Sequence, residues 1–396
     1  MIQFIDKKDC CGCNACTQKC PTSCITMNED NEGFLYPKVN IELCIKCGLC
    51  KNVCPVIHQG KEQRPLCTYA TKNNNESVRI NSSSGGIFSL LAEYVLSQKG
   101  IVFGARFNEC WEIIHDYTEI IEGIVDFRGS KYVQSKIGNS FLKTKQFLKS
   151  GRLVLFSGTP CQIAGLKLFL EEDYENLLTV DFVCHGVPSP KIWRIYLQEL
   201  IDSKTFGKKI SKTLSNNYSI NEIANIEFRN KSLGWKRFSF LIDIYKQRQR
   251  FVFSEPLDEN IFMKGFLNDL YLRPSCYACP AKCFKNHSDI TIGDYWGIEN
   301  ILPKFDDDRG VSLVMINTKK ALDICENMDA TFIETSYENA LSGNPAIEKS
   351  AKTNSKRLMF FDNLDKMHLF KLINKLTKVS LFLRFKTKII VFLNKF

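Results

Sequence analysis

No run of about 18 uncharged apolar residues, the length a helix needs to cross a bilayer, occurs in this 396-residue chain. The start, MIQFIDKKDC, lacks the apolar core and cleavage site of a secretory signal. No basic stripe accompanies a recognisable nucleic-acid motif, so nucleic acid is not expected as a partner. Of the net charge of +10, residues 366–396 supply eight Lys/Arg and no acid, which leaves the rest of the chain at +2. With 44% apolar and 24% charged residues the composition is that of an ordinary globular protein, and the length suggests two to three domains. These absences exclude a membrane-spanning protein and a secreted disulfide framework, and they point to a reducing, cytoplasmic setting.

Cysteine is abundant and clustered. Ten of the 18 fall within the first 54 residues. Cys10, Cys13, Cys16 and Cys20 recur 34 residues later as Cys44, Cys47, Cys50 and Cys54, and each copy ends in Cys-Pro. In such C-x2-C-x2-C-x3-C-P runs the fourth cysteine, turned away by the proline, ligates the other cluster of a two-cluster ferredoxin. Cys10, Cys13, Cys16 and Cys54 are therefore expected on one 4Fe-4S cluster, and Cys44, Cys47, Cys50 and Cys20 on a second. Zinc modules use separated pairs or His ligands instead. Cys11 and Cys24 lie off the repeat and read as small buried residues.

Residues 1–60 are thus an α+β, two-cluster 4Fe-4S ferredoxin-like module, followed by a polar linker ending at Pro65. From residue 66 helical periodicity alternates with short apolar runs: GGIFSLLAEYVLSQKG as helix, IVFGARF as strand, FLKTKQFLKSG as helix, 152–156 as strand, PCQIAGLKLFLEE as helix, 177–184 as strand and PKIWRIYLQELI as helix. This predicts an α/β domain with a largely parallel sheet, in parts 66–150 and 151–320. A smaller antiparallel insert is expected at 204–255, a cysteine cluster at 276–283, and a helical C-terminal region over 321–396.

Cys161, Cys184, Cys276, Cys279 and Cys283 form a second thiol set. Cys161 follows a strand-to-helix turn and Cys184 ends the next strand, so a parallel sheet places both at its carboxyl edge, where such folds bind ligands. Four of these thiols suit a third cluster. The competing reading is a zinc bound by Cys276, Cys279 and Cys283, with Cys161 and Cys184 as core residues. Ser82, Ser83, Ser84, Gly85 and Gly86 precede an amphipathic helix, whose free N–H groups suit a phosphate or serve only as a cap.

The runs SSGGIFSLLAEYVL, GSKYVQS (129–135), GTPCQIAGLK (158–167), DFVCHG (181–186), RPSCYACP (273–280) and DITIGDYWG (289–297), in this order, resemble the coenzyme F420 hydrogenase/dehydrogenase beta-subunit family over residues 1–320. The resemblance implies an FAD-binding α/β domain, with Ser83, Ser84, Gly85 and Gly86 at the pyrophosphate and Lys131 and Tyr132 along the cofactor. It also implies a flavin-proximal cluster on Cys161, Cys184, Cys276 and Cys279, Cys283 being an extra thiol able to replace Cys161 or Cys184. His185 is the candidate proton donor, with Asp294 and Trp296 lining the pocket. The implied activity is a flavin-dependent iron–sulfur oxidoreductase acting on a small organic substrate, with ferredoxin as electron donor or acceptor. Some bacterial members of that family are associated with surface-polysaccharide synthesis. The alternative is an electron-relay subunit of a larger complex. Leu369, Leu372, Ile373, Leu376 and Val379 form an apolar stripe in the basic tail 366–396, which suits either peripheral contact with the inner face of a membrane or a helix docked on the body.

Overall fold

The computed structural model describes residues 1–202 and 218–378. The first 60 residues fold around an antiparallel hairpin, β1 (Ile25–Glu29) and β2 (Leu35–Val39), with single helical turns at Ala15–Gln18 and Leu49–Asn52. The 34-residue repeat is also a repeat of backbone conformation. Gly12 and Lys46 have φ of 72° and 56°, and Asn14 and Gly48 have 64° and 83°, each pair 34 positions apart. In both copies two left-handed residues turn the chain between successive cysteines just before the helical turn, a conformation that favours Gly and Asn.

The body is one eight-stranded sheet of order β13-β3-β12-β11-β7-β6-β4-β5. Its strands are β3 (Cys67–Asn73), β4 (Ile101–Phe107), β5 (Ile113–Thr118), β6 (Val154–Gly158), β7 (Leu177–Phe182), β11 (Ile290–Asp294), β12 (Ser312–Ile316) and β13 (Ala330–Glu334). Only the central block β11-β7-β6-β4 is parallel; every other neighbouring pair is antiparallel. The expectation of a largely parallel sheet is thus corrected to a mixed one. A parallel neighbour needs a crossover of a dozen or more residues, such as the helix Pro160–Leu170 between β6 and β7, whereas the short connection from β4 to β5 makes a hairpin. Covered on both faces, the inner strands are continuously apolar: Val154, Leu155 and Phe156 are fully buried. The helix Ile87–Ser97 buries Ile87, Leu91, Ala92 and Val95 along one stripe against this sheet.

The antiparallel insert is present as β8 (Ile223–Asn230), β9 (Ser239–Lys246) and β10 (Gln249–Pro256), its first residues lying outside the described ones. Its Phe228 and Phe240 pack on Trp193 and Tyr196 of the helix Pro190–Asp202, Trp193 and Phe228 standing 4.9 Å apart between ring centres. The C-terminal region is not wholly helical, because β13 adds an edge strand beside β3. The helix Leu369–Thr377 buries Leu369, Leu372, Ile373 and Leu376 against the helices Pro190–Asp202 and Ile261–Leu267. That part of the apolar stripe is therefore occupied by the body and is not offered to a membrane; residues 379–396 lie outside the described residues. Among the described residues no helix is long and apolar enough to cross a membrane.

Candidate functional site

Two cavities in the N-terminal module sort the eight repeat cysteines. The first is lined by Cys10, Cys13, Cys16 and Cys54 together with Cys11, Ile2, Phe4 and Met27. The second is lined by Cys44, Cys47, Cys50 and Cys20, with Cys24, Ile45 and Lys46 beside them. The fourth cysteine of each run has crossed to the other copy's cavity. The chemistry of the donors fits an iron–sulfur cluster in each: four soft thiols around an apolar space and no carboxylate or imidazole. Cys16 is pushed up to about 12 by burial, so an unligated thiolate there is costly. Its electrostatic neighbours include Cys50, which sets the two cavities side by side.

The third thiol group forms where β6 and β7 end. Thr159 caps the helix Pro160–Leu170 through a capping box with Gln162, and its hydroxyl lies 3.3 Å from Cys161 Sγ. Cys184 feels the charge of Cys276, Cys161 and Cys279, and Cys276 in turn feels Cys279 and Cys161. Burial raises the pKa of Cys184, Cys276 and Cys279. Cys283 is set apart: its sulfur faces the Glu348 carbonyl at 4.0 Å, among Glu62, Glu348, Lys285 and Arg64. The turn after Cys279 thus gives Cys283 different neighbours from the other four thiols.

Cys11, read from the sequence as filler, sits between the sites. It lines the first cavity and packs in one buried cluster with Cys13 and Cys161. Arg273, fully buried, spans the same junction: Nε donates to the Cys10 carbonyl at 2.8 Å, and its charge is felt by Cys10 and Cys276. The only sequence signal for Arg273 was its place beside the C-x2-C pair.

The residues implied for the flavin are also brought together at this edge, with two exceptions. The amide of Ser130 donates to Ser83 Oγ at 2.6 Å, which lays the segment Gly129–Tyr132 against the start of the helix Ile87–Ser97. Gly86 caps that helix at φ 87°. Ser84 and Gly85 are committed to the sheet instead: Ser84 Oγ donates to the Val311 carbonyl at 2.9 Å, and the Gly85 amide donates to Ser312 Oγ at 2.9 Å. Burial lowers Lys131 to about 7, partly offset by Asp126. Tyr132 OH accepts from Arg229 Nη1 at 3.3 Å, and Arg229 grips Asp294 with both terminal nitrogens. Trp235 Nε1 donates to the same carboxylate at 2.8 Å and stacks on Trp296 at 5.0 Å, so Asp294 is an anchor for Arg229 and Trp235. Arg229 is 3% exposed, yet its Nε has no partner. His185 pairs with Asp269 at 2.6 Å and meets Phe266 edge-on, and Phe266 packs on Tyr132. The buried guanidinium of Arg229, with one free donor beside Tyr132, would suit an anionic group of a flavin.

Two parts of the chain match known protein families. Residues 9–57 match the 4Fe-4S dicluster domain, and residues 151–340 match the family described as the C terminus of the coenzyme F420 hydrogenase/dehydrogenase beta subunit. The chain is 27% identical over 197 residues to the coenzyme F420-dependent sulfite reductase of Methanocaldococcus jannaschii, a match covering 48% of this chain and 30% of that protein. The chain therefore spans under a third of the relative's length. The F420-reducing [NiFe] hydrogenase complex of Methanosarcina barkeri contains a chain 18% identical, with a TM-score of 0.43, the match covering 80% of this chain and 90% of that one. Through residues 151–340, behind a 4Fe-4S dicluster domain, the chain is similar to the coenzyme F420 hydrogenase/dehydrogenase beta-subunit family.

Proposed function

We propose that the chain is a flavin-dependent iron–sulfur oxidoreductase that carries electrons through its N-terminal module to an FAD at the carboxyl edge of the sheet, where a small organic substrate is reduced or oxidised. The observation that carries this reading is the serial placement of thiols: the Cys44–Cys50 cavity beside the Cys10–Cys54 cavity, and Cys13, Cys11 and Cys161 packed in one cluster. Iron–sulfur clusters exchange single electrons and a flavin exchanges one or two, so together they join a one-electron path to hydride chemistry.

In this reading Cys10, Cys13, Cys16 and Cys54 hold the inner cluster of the module, and Cys44, Cys47, Cys50 and Cys20 the outer one. Cys161, Cys184, Cys276 and Cys279 hold a third beside the flavin. Ser83, Gly86, Lys131, Tyr132 and Arg229 face the flavin, with Lys131 and Arg229 offering positive charge to its anionic parts. His185, half-exposed and held by Asp269, is the proton carrier, and Asp294 keeps Arg229 in place.

A relay role inside a larger complex is the second reading, favoured by the share of the sulfite reductase that this chain leaves uncovered. Turnover of a small acceptor by the isolated chain separates the two. The first experiment is an anaerobic optical redox titration of the iron- and sulfide-reconstituted protein, with its flavin extracted and identified. Absorbance that bleaches on reduction, together with bound FAD, is expected. Iron–sulfur absorbance without flavin, even after FAD is added, would remove the roles given to Ser83, Gly86, Lys131, Tyr132 and Arg229.

A further inference from the structure

The two cavities of the N-terminal module differ in their access to solvent. Cys10, Cys13, Cys16 and Cys54 are all buried, whereas Cys47 is exposed. Around Cys47 stand Ile41, Leu43 and Ile45, which are 65%, 56% and 64% exposed, and Ile45 lines the second cavity itself. Single exposed aliphatics are ordinary on a protein surface, but three within five residues, the last of them lining the cavity, concentrate apolar surface on this segment. Lys38, Lys46 and Lys51 are exposed about the same segment against one acid, Glu42, and none of the four is in an ion pair among the described residues.

We infer that this rim is the docking surface for an acidic one-electron carrier protein, which would exchange electrons through the Cys44–Cys50 site. The inference rests on the electron path proposed above and adds its outer port and the chemistry of its partner. Redox encounters use small, short-lived interfaces, commonly below about 1,200 Å². Their rates depend on electrostatic steering, and an apolar centre supplies the desolvated contact. The lysines supply the first requirement and Ile41, Leu43 and Ile45 the second. The charge also selects among occupants. Residues 379–396 of this chain carry four Lys/Arg and no acid, and a second copy would bring the same lysines face to face. Both would set positive charge against positive charge; an acidic carrier would not.

The test uses the full reconstituted chain and a reduced acidic 2Fe-2S ferredoxin, with transfer followed by freeze-quench EPR, which resolves the donor signal from those of 4Fe-4S centres. The second-order rate is expected to fall about tenfold between about 50 and 300 mM salt, as screening shortens the range of steering. Lys38→Glu with Lys51→Glu should lower the low-salt rate by a similar factor. Ile41→Ser with Leu43→Ser should lower the rate while keeping its salt dependence. Reduction by dithionite should be unchanged in both double variants. A salt-independent rate, a lysine variant as fast as the parent, or self-association through the rim in sedimentation would overturn the docking surface. Failure of dithionite itself to reduce any centre would instead count against the proposed electron path.

Discussion

Arg273 and Cys10 are joined twice: Nε donates to the Cys10 carbonyl at 2.8 Å and Nη2 donates to Cys10 Sγ at 3.6 Å. The guanidinium also donates to Gln134 Oε1 and to the Leu35 carbonyl, both at 2.9 Å, and lies 4.4 Å from the centre of the Tyr36 ring. Gly12 makes room for it, since a side chain there would begin 2.7 Å from Nη1. A buried cation that donates to a ligand sulfur stabilises the extra negative charge of the reduced state.

Arg273→Gln should therefore make the inner centre harder to reduce. A hydrogen bond to a charged group contributes about 1.5–3 kcal/mol, equivalent to roughly 60–130 mV for one electron. An EPR-monitored potentiometric titration checks this: one signal moves to more negative potential, the outer one stays, and Arg273→Lys recovers part of the shift. Equal movement of both signals would mean that the arginine acts only on the packing of the module.

Cys283 and Cys184 make opposite predictions about iron. Cys283 faces Glu348 and the charges around it, so Cys283→Ala should leave the iron and sulfide content per chain unchanged. Cys184 feels three other thiols, so Cys184→Ala should lose one cluster's complement. Metal and sulfide analysis of anaerobically reconstituted variants decides. Iron lost from the Cys283 variant would return that thiol to the ligand set.

The cysteine runs were legible because their chemistry is local: spacing and proline within 12 residues determine which thiol turns away. The long amphipathic helices were legible for the same reason, and Ile87–Ser97 lies inside its expected span. What stayed hidden is what depends on distant partners. Cys11 looked like filler because Cys161, which packs in the same cluster, is far away in sequence. Arg273 reaches back 263 positions to Cys10. Arg229, on β8 of the insert, gives no local hint that it closes on Asp294. The edge strand β13 was missed because five half-exposed residues carry a weak period and gain their pairing only from β3.

Asp294 tests anchoring against catalysis. Its carboxylate accepts from both terminal nitrogens of Arg229 and from Trp235, and the Arg229 side chain is 3% exposed. Removing one partner of a buried pair leaves the other charge uncompensated, at a cost of about 3–5 kcal/mol. Asp294→Asn should lower the chemical-denaturation midpoint accordingly, and pairing Asp294→Leu with Arg229→Met should recover most of the loss. A variant with unchanged stability and reduced turnover would instead give Asp294 a direct part in the reaction.

His115 gives the fold an acid-sensitive point beneath the third thiol group. The ring is buried, stacks on Phe156 at 5.5 Å, bonds the Ser157 carbonyl at 2.9 Å through Nε2 and meets Ser135 Oγ at 2.8 Å through Nδ1. Gln162 Nε2 donates to the same Ser135 hydroxyl at 2.9 Å, which ties the ring to the turn carrying Cys161. Burial lowers the His115 pKa from 6.5 to about 4, although the Ser157 carbonyl pulls the other way. Between those values the unfolded chain binds the proton and the folded one does not, so stability present above pH 6.5 is lost as pH falls towards 4. The loss between about pH 7 and pH 5 is on the order of 2 kcal/mol. His115→Gln, which keeps a donor for Ser157 and does not titrate, should flatten stability across that window when denaturation curves are compared at successive pH values. Parallel slopes in parent and variant would show that other groups set the acid response.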